Sequence, residues 1–475
     1  MKLGTRLFAS LTCTLLAAMV LVAADSPKTS WPGFRGHDLS GIAASKKLPE
    51  KWSKTEGIAW SQEIPGRAWS SPIVWEDTVF VTSAVGAKPF KQPSTGIYGN
   101  DYIAELRKQG LSGEEIMARL RARDNESTDE AGELRYMLYA LDAKTGKIKW
   151  EREAIRMAPF GGRHRKNTFA SETPSTDGKR VYAYFGRNVG LFCFDMKGKL
   201  LWKKRWTPQP IYLDFGTASS PVVHKDRVYL LQDNEQESAL LALDAKTGEE
   251  VWRAPRKFEG MLKSSWTTPF VWENAQRTEI VTTGPSAVIS YDLSGKELWR
   301  MGTQLTSSAI SPLAVNGLLY IGIGAQGDAS RPFYAIKPGA SGDITLAKDA
   351  TSNEFIPWFH PRAAGYTSSP LVYAGRIFLV HDLGVMVVLD AESGKELYKA
   401  RAGGVGNTFS ASPVGAGDRV YLLNEDGATV VLDAAANEYT ELARNELDEM
   451  SLASPAVAGD AIFIRTQSRL YRIGR

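Results

Sequence analysis

Residues 140–150 read ALDAKTGKIKW, and residues 242–252 repeat the string as ALDAKTGEEVW. Looser copies keep the same grammar: FDMKGKLLW at 194–202, YDLSGKELW at 291–299 and LDAESGKELY at 389–398. A string that recurs within one chain marks a supersecondary unit used several times, so the period of the repeat decides the architecture. The string itself has the chemistry of a hairpin. Its aspartate accepts from nearby backbone N–H groups as an Asx-turn, and its glycine supplies a positive φ that other residues resist. The tryptophan that ends four of the copies (Trp150, Trp202, Trp252, Trp299) presents a large flat surface suited to wedging between neighbouring sheets.

Working outward, eight Ser/Thr-Pro pairs, with prolines at 72, 174, 221, 269, 312, 370, 413 and 455, each lead into an apolar strand. After most of them comes a polar turn and a second strand, as in VVHKDRVYLL at 222–231, PVGAGDRVYLL at 413–423 and PAVAGDAIFI at 455–464. The hairpin string then supplies strands three and four. Successive prolines stand 47, 48, 43, 43 and 42 residues apart wherever the unit is regular. That is the length of one four-stranded propeller blade. Two intervals are longer: 102 residues from Pro72 to Pro174, across an insertion at 86–134, and 58 residues from Pro312 to Pro370. The insertion contains LSGEEIMARLRARD, read as a short amphipathic helix opened by Ser112 with Glu115 three residues on.

The last unit, 454–475, has its proline and inner strands but no aromatic fourth strand, whereas IAWSQEIPG at 58–66 is such a strand with no unit ahead of it. Joining the two closes the ring and removes exposed sheet edges. The expected fold is therefore all-β: an eight-bladed β-propeller of four-stranded antiparallel blades at 58–475, the N-terminal strand closing the last blade. Seven blades is the alternative, should the divergent fifth unit fall short of a full blade.

The first 24 residues carry Lys2 and Arg6, an apolar run and small residues up to Ala24, the pattern of a secretory signal peptide cleaved after Ala24. Residues 25–57 then form an N-terminal extension. After cleavage the formal charge falls from +4 to +2, and the single Lys/Arg-dense block is KKRW at 203–206, so nucleic-acid binding has no electrostatic footprint. Beyond residue 24 nothing is long and apolar enough to span a bilayer, and Cys193 alone cannot form an internal disulfide. A periplasmic or secreted monomer is the expectation.

The pattern Ala-x-Asp-x-x-Thr-Gly-x-x-x-Trp, complete at 140–150 and 242–252 and degraded elsewhere, resembles the tryptophan-docking repeat of PQQ-like β-propellers, over about 60–475. With WPGFRG at 31–36, HRKNTFASETP at 164–174 and SNEFIPW at 352–358, the chain is similar to exported PQQ-binding-like propellers of planctomycete-type bacteria. The resemblance implies two functional frames. Quinoprotein alcohol dehydrogenases hold pyrroloquinoline quinone and Ca²⁺ in the channel, typically beneath a disulfide of adjacent cysteines, which this chain lacks. The propeller lipoprotein of the outer-membrane protein assembly machinery uses the same repeats as a partner-binding scaffold without a cofactor.

The first reading is thus an exported binding scaffold for an envelope protein, small molecule or glycan at the channel mouth; the alternative is a PQQ-dependent oxidoreductase of alcohols or sugars. Candidate ligand contacts are Arg163, His164, Lys166 and Asn167, a cationic run before an innermost strand, weighed against a solvated inter-blade loop. Glu172 is expected to pair with one of these cations. Trp266 stands ahead of Thr268-Pro269 and suits stacking on a flat ligand, with Trp69 at the matching place in its own unit. Arg331 and Glu354 lie in the divergent fifth unit, where ligand contact and surface salt bridges read alike. GIGAQG at 322–327 precedes a strand rather than a helix and is no phosphate cradle, and no metal-ligand spacing or catalytic motif is present.

Overall fold

Each Ser/Thr-Pro pair opens a short innermost strand, and the strands after it add outward in chain order to make one sheet. The computed structural model describes residues 30–91, 100–260, 262–303, 309–324 and 330–474, so the segment expected from sequence to be a signal peptide lies outside the described residues. Eight sheets follow, an eight-bladed propeller. Blade 1 holds Ile73–Trp75, Thr78–Gly86, Leu134–Asp142 and Ile148–Met157, and blades 2 to 7 begin at Ser175, Val222, Phe270, Leu313, Leu371 and Val414. The inner three strands of each blade are largely buried and apolar, whereas the outer strand alternates with solvent.

The eighth blade is built from both ends of the chain. Ala456–Ala458, Ala461–Arg465 and Arg469–Ile473 are completed by Ile58–Glu63, which runs antiparallel to the last strand with Trp60 opposite Arg472 and Glu63 opposite Arg469. The fifth unit is a full blade, which rules out seven. Its extra length is an excursion between its third and fourth strands, where Gly342–Asp343 adds a parallel strand to the edge of blade 4.

The recurring hairpin string joins blades. Trp202 of blade 2 lies on Gly248 of blade 3, and its Nε1 donates to Ala245 O at 3.3 Å. Trp60, Trp150, Trp252 and Trp358 repeat the contact on Gly146, Gly198, Gly295 and Gly394. The glycine therefore answers two demands at Gly248: φ is 75°, and a Cβ would overlap the Trp202 ring. Trp299 departs from the expected wedge. The next blade offers no such turn, and its indole instead donates to Glu279 Oε2 of its own blade at 2.7 Å, fully buried.

Among the described residues of the insertion are three helices: α1 (Asn100–Lys108), α2 (Gly113–Asp124) and α3 (Thr128–Ala131). Ser112 and Glu115 form the expected reciprocal cap on α2, Ser112 N donating to Glu115 Oε2 and Glu115 N to Ser112 Oγ. Leu106, Ile116 and Leu120 make a small core of their own. The N-terminal extension has a role its sequence did not disclose. Trp31 pairs with Val74 of blade 1, Pro32 O accepts from Thr176 N of blade 2, Arg35 Nη2 donates to Pro370 O, and Ile42 bridges to Gly415 of blade 7. This strap crosses the propeller beneath its axis.

Candidate functional site

The hydroxyls of the Ser/Thr-Pro pairs form a belt around the axis. Ser71 N donates to Thr173 Oγ1, Thr173 N to Ser220 Oγ, Ser220 N to Thr268 Oγ1 and Thr268 N to Ser311 Oγ, each at 3.0–3.1 Å. Ser311, Ser369 and Ser412 continue it to Ser454. Proline follows each of them because the inner strand's first residue needs no N–H of its own there. Among the described residues the eighth link, from Ser454 to Ser71, is not made, and that gap falls at the seam between blades 8 and 1.

Two residues upstream of each belt position, on the same face of an extended chain, stands a second ring: Trp69, Ser171, Ala218, Trp266, Ala309, Thr367, Ser410 and Leu452. The belt is chemically uniform because it holds the blades together; the ring above it varies from blade to blade. Together they enclose a cavity of about 210 Å³ whose floor is Phe34 of the strap and whose mouth carries His164, Lys166, Asn167 and Phe215.

Of the residues expected from sequence, His164, Lys166, Asn167 and Trp266 line this one cavity, while Arg163, Arg331 and Glu354 do not. The cationic run alternates. Arg163 and Arg165 turn away into buried ion pairs with Glu126 (2.7 Å) and Asp124 (3.1 Å) of the insertion, fastening the helices beside the mouth. His164 and Lys166 face the cavity instead. Lys166 Nζ donates to Glu425 Oε1 of blade 7 at 2.6 Å, and Ser410 and Thr408 donate to the same carboxylate. The His164 ring packs edge-on to Phe215, with centroids 4.7 Å apart, and burial together with the Arg165 and Lys166 charges depresses its pKa to about 3. Asn167 is spent on the wall, donating to Phe215 O and Thr217 O. Trp266 Nε1 donates to Gly216 O at 2.7 Å, which fixes the indole plane against Phe215.

Glu172 does not pair with a cation, contrary to the expectation from sequence: it accepts from Thr217 Oγ1 at 2.5 Å inside the wall, and burial raises its pKa to about 7. Arg331 meets His381 and Asp382 at the junction of blades 5 and 6, and Glu354 is exposed on the blade 5 excursion. Trp69, Phe215 and Tyr366 complete the aromatic lining. Their sequence signal for Trp69 was its offset from Ser71; Phe215 and Tyr366 carry no periodic mark.

Eight four-stranded blades, five of them docked on the next by a tryptophan, surround a hydroxyl-belted axial cavity and define a repeat-built β-propeller. The family model described as outer membrane protein assembly factor BamB matches residues 132–322 and 285–473, and the chain belongs to this family of PQQ-like β-propellers. Among curated proteins no sequence matches. Solved structures share the fold at low identity. BamB from Moraxella catarrhalis is 14% identical with a TM-score of 0.51, over 74% of this chain and 90% of that one. The quinohemoprotein alcohol dehydrogenase from Comamonas testosteroni is 12% identical with a TM-score of 0.59, over 95% and 82%. A europium-containing methanol dehydrogenase is 11% identical with a TM-score of 0.57, over 94% and 98%.

Proposed function

We propose that the protein is an exported binding scaffold that holds a small ligand in its axial cavity, with the helical insertion as one wall of the mouth. The observation that supports this reading is the convergence of His164, Lys166 and Trp266 on one cavity floored by the chain's own strap. A concave site lined by aromatic rings with a few placed polar groups is the usual form of a small-molecule pocket. The signal-like N-terminus supports export.

A quinone–calcium pair is a poorer fit to these donors. Calcium takes six to eight oxygen ligands that include carboxylates. Among the described residues no carboxylate lines the cavity, Glu425 is engaged by Lys166, Ser410 and Thr408, and no cluster of three His, Cys, Asp or Glu side chains suits a metal. An oxidoreductase role therefore has no support from this cavity's chemistry.

The test is a thermal-shift screen of organic acids, sugars, amino acids and pyrroloquinoline quinone with and without Ca²⁺, run on the wild type and on Ala309→Trp, which fills the upper ring. At least one class is expected to raise the Tm of the wild type and not of the variant. Equal shifts in both proteins, or silence across the panel, would overturn the scaffold reading; a Ca²⁺-dependent shift with the quinone, accompanied by dye-linked alcohol oxidation, would replace it with the enzyme.

A further inference from the structure

KKRW at 203–206, the densest basic block of the sequence, plays no part in the axial cavity. It ends the outer strand of blade 2. The matching end of blade 3 carries Arg253, Arg256 and Lys257, and the two meet across the junction between the blades in a trench of about 730 Å³. Six cationic side chains line it: Arg187, Lys204, Arg205, Arg253, Arg256 and Lys257. Two acids, Glu237 and Glu250, answer them from within the trench, and each is taken by an arginine, Arg187 at 2.9 Å and Arg253 at 2.8 Å. Arg256 is held behind the wall by Asp233, fully buried. Lys204 and Lys257 form no ion pair among the described residues. In a chain whose formal charge is only +4, this is a local excess of positive charge in a concavity, where field lines concentrate.

We propose that this trench binds an acidic polysaccharide. The accessible apolar part of its lining is Trp206 and Pro255, whose ring faces suit stacking of a sugar ring. The trench is concave, which a planar membrane cannot follow. Lys204 and Lys257 supply the charges for uronate or sulfate groups along the chain, Arg187 and Arg253 remain fixed by their acids as the banks, and the Arg205 guanidinium turns away to Val189 O and Met157 Sδ of blade 1.

The experiment measures binding of polygalacturonate, dextran sulfate, neutral dextran and poly-glutamate to the intact protein by surface plasmon resonance at two salt concentrations. One or both acidic polysaccharides are expected to bind, more weakly at higher salt, with the carboxylate and sulfate arms deciding which group is read. The surface variant K204E/K257E is expected to lose at least tenfold, while W266A in the axial cavity leaves this binding unchanged. W206F, which keeps the flat face, is expected to bind like the wild type. Equal binding of neutral dextran, tighter binding of poly-glutamate, or an unaffected double variant would overturn the proposal, and none of these outcomes bears on the axial cavity.

Discussion

Ser71 N donates to Thr173 Oγ1 at 3.0 Å, although 102 residues of chain separate the two. The same link recurs around the axis whether the intervening blade is regular or carries a helical insertion, so the belt, and not the spacing, is what each repeat preserves. The belt hydroxyls from Thr173 to Ser454 each satisfy a buried backbone amide of the preceding blade. Thr268→Val keeps the shape but leaves the Ser220 N–H without its acceptor, at a cost of about 1–3 kcal/mol. Thr268→Ser retains the oxygen and is expected to lie within about 0.5 kcal/mol of the wild type. Urea unfolding of the two variants checks this, and equal stability of Val and Ser would remove the belt as a structural element.

Gly248 is the second place where the repeat leaves no freedom. Gly248→Ala puts a Cβ into the face of Trp202 and holds an L-residue at φ 75°, so overpacking and backbone strain add to an expected loss of about 2–4 kcal/mol. Gly317 is a control: it also has a positive φ, 81°, but no atom within 4 Å of the added Cβ, so Gly317→Ala bears the strain alone. Chemical denaturation giving the same loss at both positions would mean that the tryptophan contact contributes nothing.

The sequence showed the propeller and its closure plainly, because both rest on local chemistry repeated many times: a turn glycine, a strand alternation, a proline after a hydroxyl. Of the candidate cavity it marked part of the lining. Trp266 and Lys166 were legible since their offset from Thr268 and Thr173 puts them on or beside innermost strands. Arg163 stands outside the cavity because neighbours in an extended loop face opposite ways, and its partner Glu126 lies in the insertion. Phe34 was hidden for a different reason: it belongs to the strap, whose place is set by single contacts to four blades rather than by any period.

The wall of the cavity contains a pH-sensitive group. Glu172 has a folded pKa of about 7 against an ordinary 4.5, so the folded state favours its neutral form. Stability from this group is complete below pH 4.5 and is lost as pH rises through 4.5 to 7, after which the penalty is constant at about 3 kcal/mol. Glu172→Gln keeps an acceptor for Thr217 and carries no charge. Its stability relative to the wild type is expected to rise between pH 4.5 and 7 and to level off above. A flat difference across that range, from denaturation at several pH values, would show that Glu172 ionises freely in the fold.

His164 works with the opposite sign. Its folded pKa, about 3, lies below the ordinary 6.5, so its contribution is present above pH 6.5 and falls away as pH drops towards 3. His164→Gln is expected to flatten the acid limb of the stability profile without changing the region above pH 7, and an unchanged acid limb would count against a neutral imidazole in the wall.

The seam of the ring is the last place where two contacts of equal chemistry are expected to differ in consequence. Trp60 docks on Gly146 and donates to Ala143 O at 3.0 Å; Trp252 docks on Gly295 and donates to Leu293 O at 2.9 Å. Truncating either to alanine removes a half-buried indole and its hydrogen bond, for about 2–4 kcal/mol. Blades 3 and 4 stay joined by the chain, so W252A loosens one interface. Blades 8 and 1 are also joined by chain, but blade 8 itself is held together by the pairing of Ile58–Glu63 with Arg469–Ile473, and the hydroxyl belt is open there. W60A is therefore expected to let that strand pair separate, seen as hydrogen exchange at 58–63 and 469–473 well below the global unfolding free energy, with no such subglobal opening in W252A. Equal protection of the two junctions would mean that closure is as strong at the seam as anywhere in the ring.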